Sequence, residues 1–119
     1  GVTAMRGLVE DAKFEPGDAT LIYRYSTEDE AIFKDELDEI AARRGVEVIY
    51  LSGPRRSNGS WLPAGFEGSD AEGLRRLVPD IDVRDVFICG PLKWNHLVKQ
   101  SAREAGASAQ FLHSEDYVW

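Results

Sequence analysis

The sequence predicts an α/β domain with a doubly wound parallel sheet and helices on both faces. Three observations carry this. Short apolar or β-branched runs at residues 20–25, 46–51 and 85–89 read as strands. Stretches with apolar residues at helical spacing separate them, and strands alternating with helices argue a parallel sheet. The chain has 119 residues, enough for one compact domain and too few for two.

Met5, Leu8, Val9 and Ala12 fall at i, i+3, i+4 and i+7, so a helix is predicted over 4–12 with Thr3 as its N-cap. A loop with Pro16 and Gly17 leads to the strand at 20–25. Ser26–Asp29 and Thr27–Glu30 are overlapping capping boxes for a helix that buries Phe33, Leu37, Ile40 and Ala41. Gly45, after Arg43 and Arg44, reads as its C-cap. The strand at 46–51 is followed by the least regular stretch, 52–69, rich in Gly and Pro and placed after a strand end, where ligands bind in such sheets. A short helix is predicted over 70–77. The strand at 85–89 stops at a sharp Gly90-Pro91 turn, which sets Cys89 at its carboxyl end. Trp94, Leu97, Val98, Ser101, Ala102 and Ala105 share one helical face, Gly106 ends that helix, and a last strand is predicted over 109–113.

Composition narrows the function. Hydrophobic content of 43% and charged content of 29% suit a soluble globular domain. No apolar run approaches the ~20 residues of a membrane span. Cys89 is the sole cysteine, so no internal disulfide forms, which fits a reducing, cytoplasmic compartment. A net charge of −7 argues against nucleic acid. It leaves room for a dinucleotide, whose pyrophosphate is held by backbone N–H groups at a helix start. His96 and His113 are too isolated for a metal site.

Four blocks in order carry a resemblance: Leu21-Ile22-Tyr23-Arg24 with the later Phe33-Lys34-Asp35-Glu36-Leu37, then Leu77-Val78-Pro79-Asp80-Ile81, then Cys89-Gly90-Pro91, then His113-Ser114-Glu115 with a terminal aromatic. Together they resemble the nicotinamide-binding domain of the ferredoxin–NADP reductase superfamily, nearest to bacterial ferric-reductase-like flavin oxidoreductases. The departures are Ala4 for a usual proline, Asp116 before Tyr117, and Trp119 as the final aromatic. The resemblance implies a domain that accepts NAD(P)H and presents it to FAD or FMN held on a separate domain outside this chain, in some members after transmembrane helices.

It also implies site residues. Cys89 would lie beside the nicotinamide, Glu115 in the hydrogen-bond network around both rings, and Trp119 over the flavin. Gly90 and Pro91 would let the dinucleotide pass close to the backbone. Gly1 and Thr3 would meet the pyrophosphate. Arg24 and Ser26, at the end of the second strand, would sit at the ribose, with Arg24 and Lys34 available to a 2′-phosphate.

By this resemblance residues 1–119 are one domain lacking the family's first strand, which lies between those at 20–25 and 85–89. The gap would leave unpaired backbone groups on both neighbours, so either the strands close up and pair directly or another copy supplies a strand. Direct pairing would shift the helices packed over the missing strand, and self-association is therefore the expected outcome. A reading from another class is a non-catalytic α/β regulatory module of the phosphoacceptor receiver type. It requires acidic residues at the first strand's carboxyl end, where this chain has Arg24.

Overall fold

The structure, a computed structural model, describes residues 9–10, 14–25, 34–91, 95–108 and 112–117, with the backbone only at 90, 91, 95 and 113–117. The expected helix over 4–12 apart from Val9 and Glu10, the capping boxes at 26–30, and Gly1, Thr3, Ser26 and Trp119 lie outside the described residues.

The elements are β1 (Ala19–Tyr25), α1 (Lys34–Arg44), β2 (Val46–Ser52), α2 (Asp70–Leu77), a 3₁₀ turn (Ile81–Val83), β3 (Asp85–Pro91), α3 (Asn95–Ala105) and β4 (Leu112–Tyr117). They form a four-stranded sheet in the order β2-β1-β3-β4, parallel at every pairing. Side chains alternate across β1. Leu21, Tyr23 and Tyr25 join Leu37, Ile40 and Ala41 of α1, Val9, Phe87 and Cys89 in one core. Ile22, with Val86 and Ile88 of β3, faces Leu74 of α2, Val98 and Ala102 of α3, and Trp61 and Leu62 from the long loop. Helices therefore cover both faces, as the alternation of elements predicts.

Three expectations are corrected. The gap is absent: β1 pairs directly with β3, from Ala19↔Asp85 to Tyr23↔Cys89. Each unpaired buried backbone group costs about 1–3 kcal/mol, and direct pairing removes that cost without emptying either face of the sheet. The predicted self-association thereby loses its physical basis. Second, β3 does not stop at Cys89 but runs through Gly90 to Pro91, paired there with β4 alone. Proline is tolerated because no partner on the β1 side requires its missing N–H. Third, the last strand does not stop at His113 but runs on to Tyr117, in register with Pro91, so a polar run supplies the edge strand; residues 109–111 lie outside the described residues. An edge needs backbone partners more than apolar side chains.

The start of α2 is capped. Ser69 Oγ accepts from Glu72 N–H at 3.1 Å, and the Glu72 carboxylate accepts from Ser69 N–H at 3.3 Å. Ser69→Ala is expected to lower stability by about 1 kcal/mol, read as a shift in urea midpoint. The Ser69 backbone bond, then its side chain, hold the Glu72 carboxyl below the usual carboxylate range. A folded value below the unfolded one gives stability that is complete above the ordinary pKa and lost as pH falls through the folded value. Glu72→Gln is accordingly expected to flatten stability against pH on the acid side of the ordinary carboxylate range, and an unchanged acid limb would refute the cap's electrostatic role.

Candidate functional site

In an open parallel sheet the crevice forms where successive connections leave a strand in opposite directions. Here β1 connects to β2 on one side, and the chain then crosses to β3 on the other. The switch point lies between β1 and β3. Their ladder ends at Tyr23↔Cys89, although β1 continues to Tyr25 and β3 to Pro91. Beyond that last rung no β1–β3 pairing joins the strands. Cys89 stands on the rung itself, fully buried with Tyr23 and Phe87, while Gly90 and Pro91 form the β3 wall above it. Cys89 and Glu115, chosen separately in the sequence, are register partners on β3 and β4, placing their backbones about 4.8 Å apart.

Arg24 is not at the surface, as a phosphate-facing residue would be. It is fully buried on the α2/α3 side. Its Nε donates to Trp61 O at 2.6 Å, and its Nη1 donates to Tyr25 O at 2.6 Å and Leu51 O at 3.2 Å. These carbonyls belong to the ends of β1 and β2 and to the loop after β2, so the guanidinium binds strand ends to loop. Lys34 lies with its ammonium 4.6 Å over the Tyr50 ring. That ring joins Tyr23 and Tyr25 in an aromatic cluster with centroids 5.4–6.5 Å apart. Burial, and then the Asp38 carboxylate that accepts its hydroxyl, push the Tyr50 phenol well above its ordinary pKa.

The loop over 53–69 is built around Asp70, Arg56 and Trp61. Asp70 accepts from Arg56 Nη2 at 2.8 Å, from Ser60 Oγ, and from Trp61 N–H at 3.0 Å. Arg56 also donates to Phe66 O and Gly68 O. The Trp61 ring is fully buried, and its Nε1–H donates to Ser101 Oγ of α3 at 2.7 Å. None of these anchors, Trp61 included, is picked out by the sequence, which marks this stretch only by its glycines and prolines. A cavity of about 310 Å³ opens between loop, α2 and α3, lined by Arg56, Ser60, Asp70, Gln100 and Ser101 among others. None of its described lining residues comes from β1 or β3, so it lies outside the crevice. Among the described residues no helix is long and apolar enough to cross a membrane.

No family model matches the chain. Among curated proteins it is similar to the oxidoreductase AIM33 of Saccharomyces cerevisiae, 31% identical over 117 residues, covering 93% of this chain and 36% of that protein. It is 29% identical over 101 residues to the glycine betaine monooxygenase reductase subunit of Chromohalobacter salexigens, covering 84% of this chain and 27% of the relative. It is 28% identical over 116 residues to the ferredoxin reductase component of 3-ketosteroid-9-alpha-monooxygenase from Mycolicibacterium smegmatis, covering 97% and 31%. The chain thus spans about a third of the length of these relatives. The FAD/NAD-binding domain of nitric oxide dioxygenase from Vibrio cholerae shares the fold with a TM-score of 0.59 at 18% identity, over 98% of this chain and 45% of that one. Flavohemoglobin from Malassezia yamatoensis does so with a TM-score of 0.54 at 15% identity, over 92% and 34%. Likeness along nearly the whole chain to named reductases, with the fold of an FAD/NAD-binding domain, makes this chain a homologue of the ferredoxin reductase-type oxidoreductases.

Proposed function

We propose that this chain is the pyridine-dinucleotide domain of a flavin-dependent oxidoreductase, presenting NAD(P)H for hydride transfer to FAD or FMN on a separate domain of the same protein. One observation carries the reading. The switch point between β1 and β3 has Cys89, Gly90 and Pro91 on one wall, with Glu115 in register beside Cys89. The crevice suits the group: glycine offers no side chain to obstruct it, proline no N–H to leave unsatisfied, and the backbones are unjoined above the last rung. The bound cofactors supply the hydride chemistry; the chain orients them.

In this reading the nicotinamide lies over Gly90 with the Cys89 thiol beneath it, and Glu115 closes the same edge from β4. Trp119 covers the flavin. Gly1 and Thr3 meet the pyrophosphate, and Ser26 lies at the ribose. The buried guanidinium of Arg24 supports the ribose end from below.

Titration with NADH and NADPH is expected to show binding, and Gly90→Val should weaken it by about tenfold or more, equivalent to 1.4 kcal/mol. In the complete protein, Cys89→Ala and Glu115→Ala should slow flavin reduction more than they weaken nucleotide binding, the mark of contacts made mainly in the transition state. No binding of either nucleotide at millimolar concentration, or normal reduction rates in both variants, defeats the proposal.

A further inference from the structure

We propose that Arg24 is a positioning residue for the adenosine half of the dinucleotide, holding the loop over 53–69 in its receptive conformation through the Trp61 carbonyl. The inference rests on the function proposed above. With the nicotinamide at β3, the rest of the dinucleotide crosses the switch point toward β1 and β2, the side where ribose recognition occurs in doubly wound sheets. The wall on that side is the loop that leaves Ser52. Its conformation depends on Trp61, which is held from three directions. Arg24 Nε donates to its carbonyl at 2.6 Å, Asp70 accepts from its N–H at 3.0 Å, and Ser101 accepts from its ring at 2.7 Å. Arg24 is the only one of these three ties that starts in the central strand. Its Nη1 also donates to Tyr25 O, which accepts from Gly53 N–H at 3.1 Å. One planar fork thus fixes both the start and the middle of the loop against β1.

Lysine keeps the charge but cannot reproduce a fork that spans these carbonyls. Burial of the guanidinium beneath the loop means that it acts through the loop and touches no ligand itself.

The test compares NADH with reduced nicotinamide mononucleotide, which lacks the adenosine half, in the complete flavin-containing protein. Arg24→Lys is expected to lower the ratio of kcat/KM for NADH over the mononucleotide by about tenfold, the scale of one hydrogen bond from a charged donor. Equal losses with both substrates, or a wild-type ratio, overturn the inference. A protein whose wild-type form oxidises neither substrate removes the function proposed above and this inference with it. If Arg24→Lys does not fold, Gly73→Ala decides. A Cβ on Gly73 would stand 2.7 Å from Leu62 Cδ1 and 3.0 Å from Phe66 Cδ1. The Leu62 and Phe66 side chains must turn aside to admit it, which perturbs the packing of the loop next to Trp61 from the α2 side, while alanine improves the helix. A fallen ratio in that variant supports the inference, and an unchanged ratio overturns it.

Discussion

Asp70→Ala is expected to destabilise the domain by about 3 kcal/mol and to lower Tm by about 12 °C or more. The Asp70 carboxylate is only 12% exposed and its partner Arg56 19%. Removing it leaves a partly buried guanidinium without its counter-charge and the Trp61 N–H without its acceptor. Losing one member of a buried pair costs about 3–5 kcal/mol. The lower end applies because Arg56 keeps its bonds to Ser60 Oγ, Phe66 O and Gly68 O. Against a total stability of about 5–15 kcal/mol, that is a large share. Asp70→Asn retains the Oδ1 acceptor and is expected to recover more than half of the loss. Chemical denaturation of the two variants checks this; alanine and asparagine with equal losses below about 1 kcal/mol would mean that the loop does not depend on this carboxylate.

Gly45→Ala is expected to cost about 3–4 kcal/mol, in the range that marks a named steric mechanism. Gly45 has φ +71°, and a Cβ there would stand 2.7 Å from Pro16 Cβ and 2.9 Å from Pro16 Cα. The left-handed conformation alone costs a non-glycine residue about 1–2 kcal/mol; the overlap adds the rest. Neither chain can retreat freely, because Gly17 N–H donates to Gly45 O at 2.7 Å and Arg84 Nη1 to Gly17 O at 3.0 Å. Gly17→Ala serves as the control. Its φ is +90°, but nothing lies within 4 Å of the added carbon. The difference between the two variants in urea denaturation isolates the contact, and equal losses would show that only backbone conformation matters.

Much of this was legible in the sequence because it is local. The alternation of apolar runs gave β1 and β2 nearly to their ends, and Gly45 announced itself behind two arginines. Cys89 and Glu115 read as lying near two strand ends on one edge, but their pairing in register is seen only in the structure, because the sequence ends the last strand short of Glu115. What escaped depends on contacts far apart in the chain. Arg24 lies 37 residues from Trp61 and Trp61 lies 40 from Ser101, and these bonds leave no periodicity to read. The Gly90-Pro91 pair reads as a turn, yet it continues a strand, because only the partner on one side shows whether an N–H is needed. Arg24 misleads for a related reason: an arginine at a strand end suggests a phosphate, whereas here backbone carbonyls take up its Nε and Nη1 donors.

The central position of β1 also shapes how the chain reaches this fold. Ala19 and its β2 partner Val46 are separated by less than a quarter of the chain, whereas Ala19 and its β3 partner Asp85 are separated by more than half. Closing the longer loop costs more entropy before any contact rewards it. The pairing of β1 with β2 is therefore the early event in folding, and the arrival of β3 the slow one. During synthesis the first pair emerges well before β3, with one edge of β1 open to any strand that can reach it. The β1–β3 rung that floors the crevice thus forms after the β1–β2 pair, and the site is completed only once β3 has followed β2 out of the ribosome.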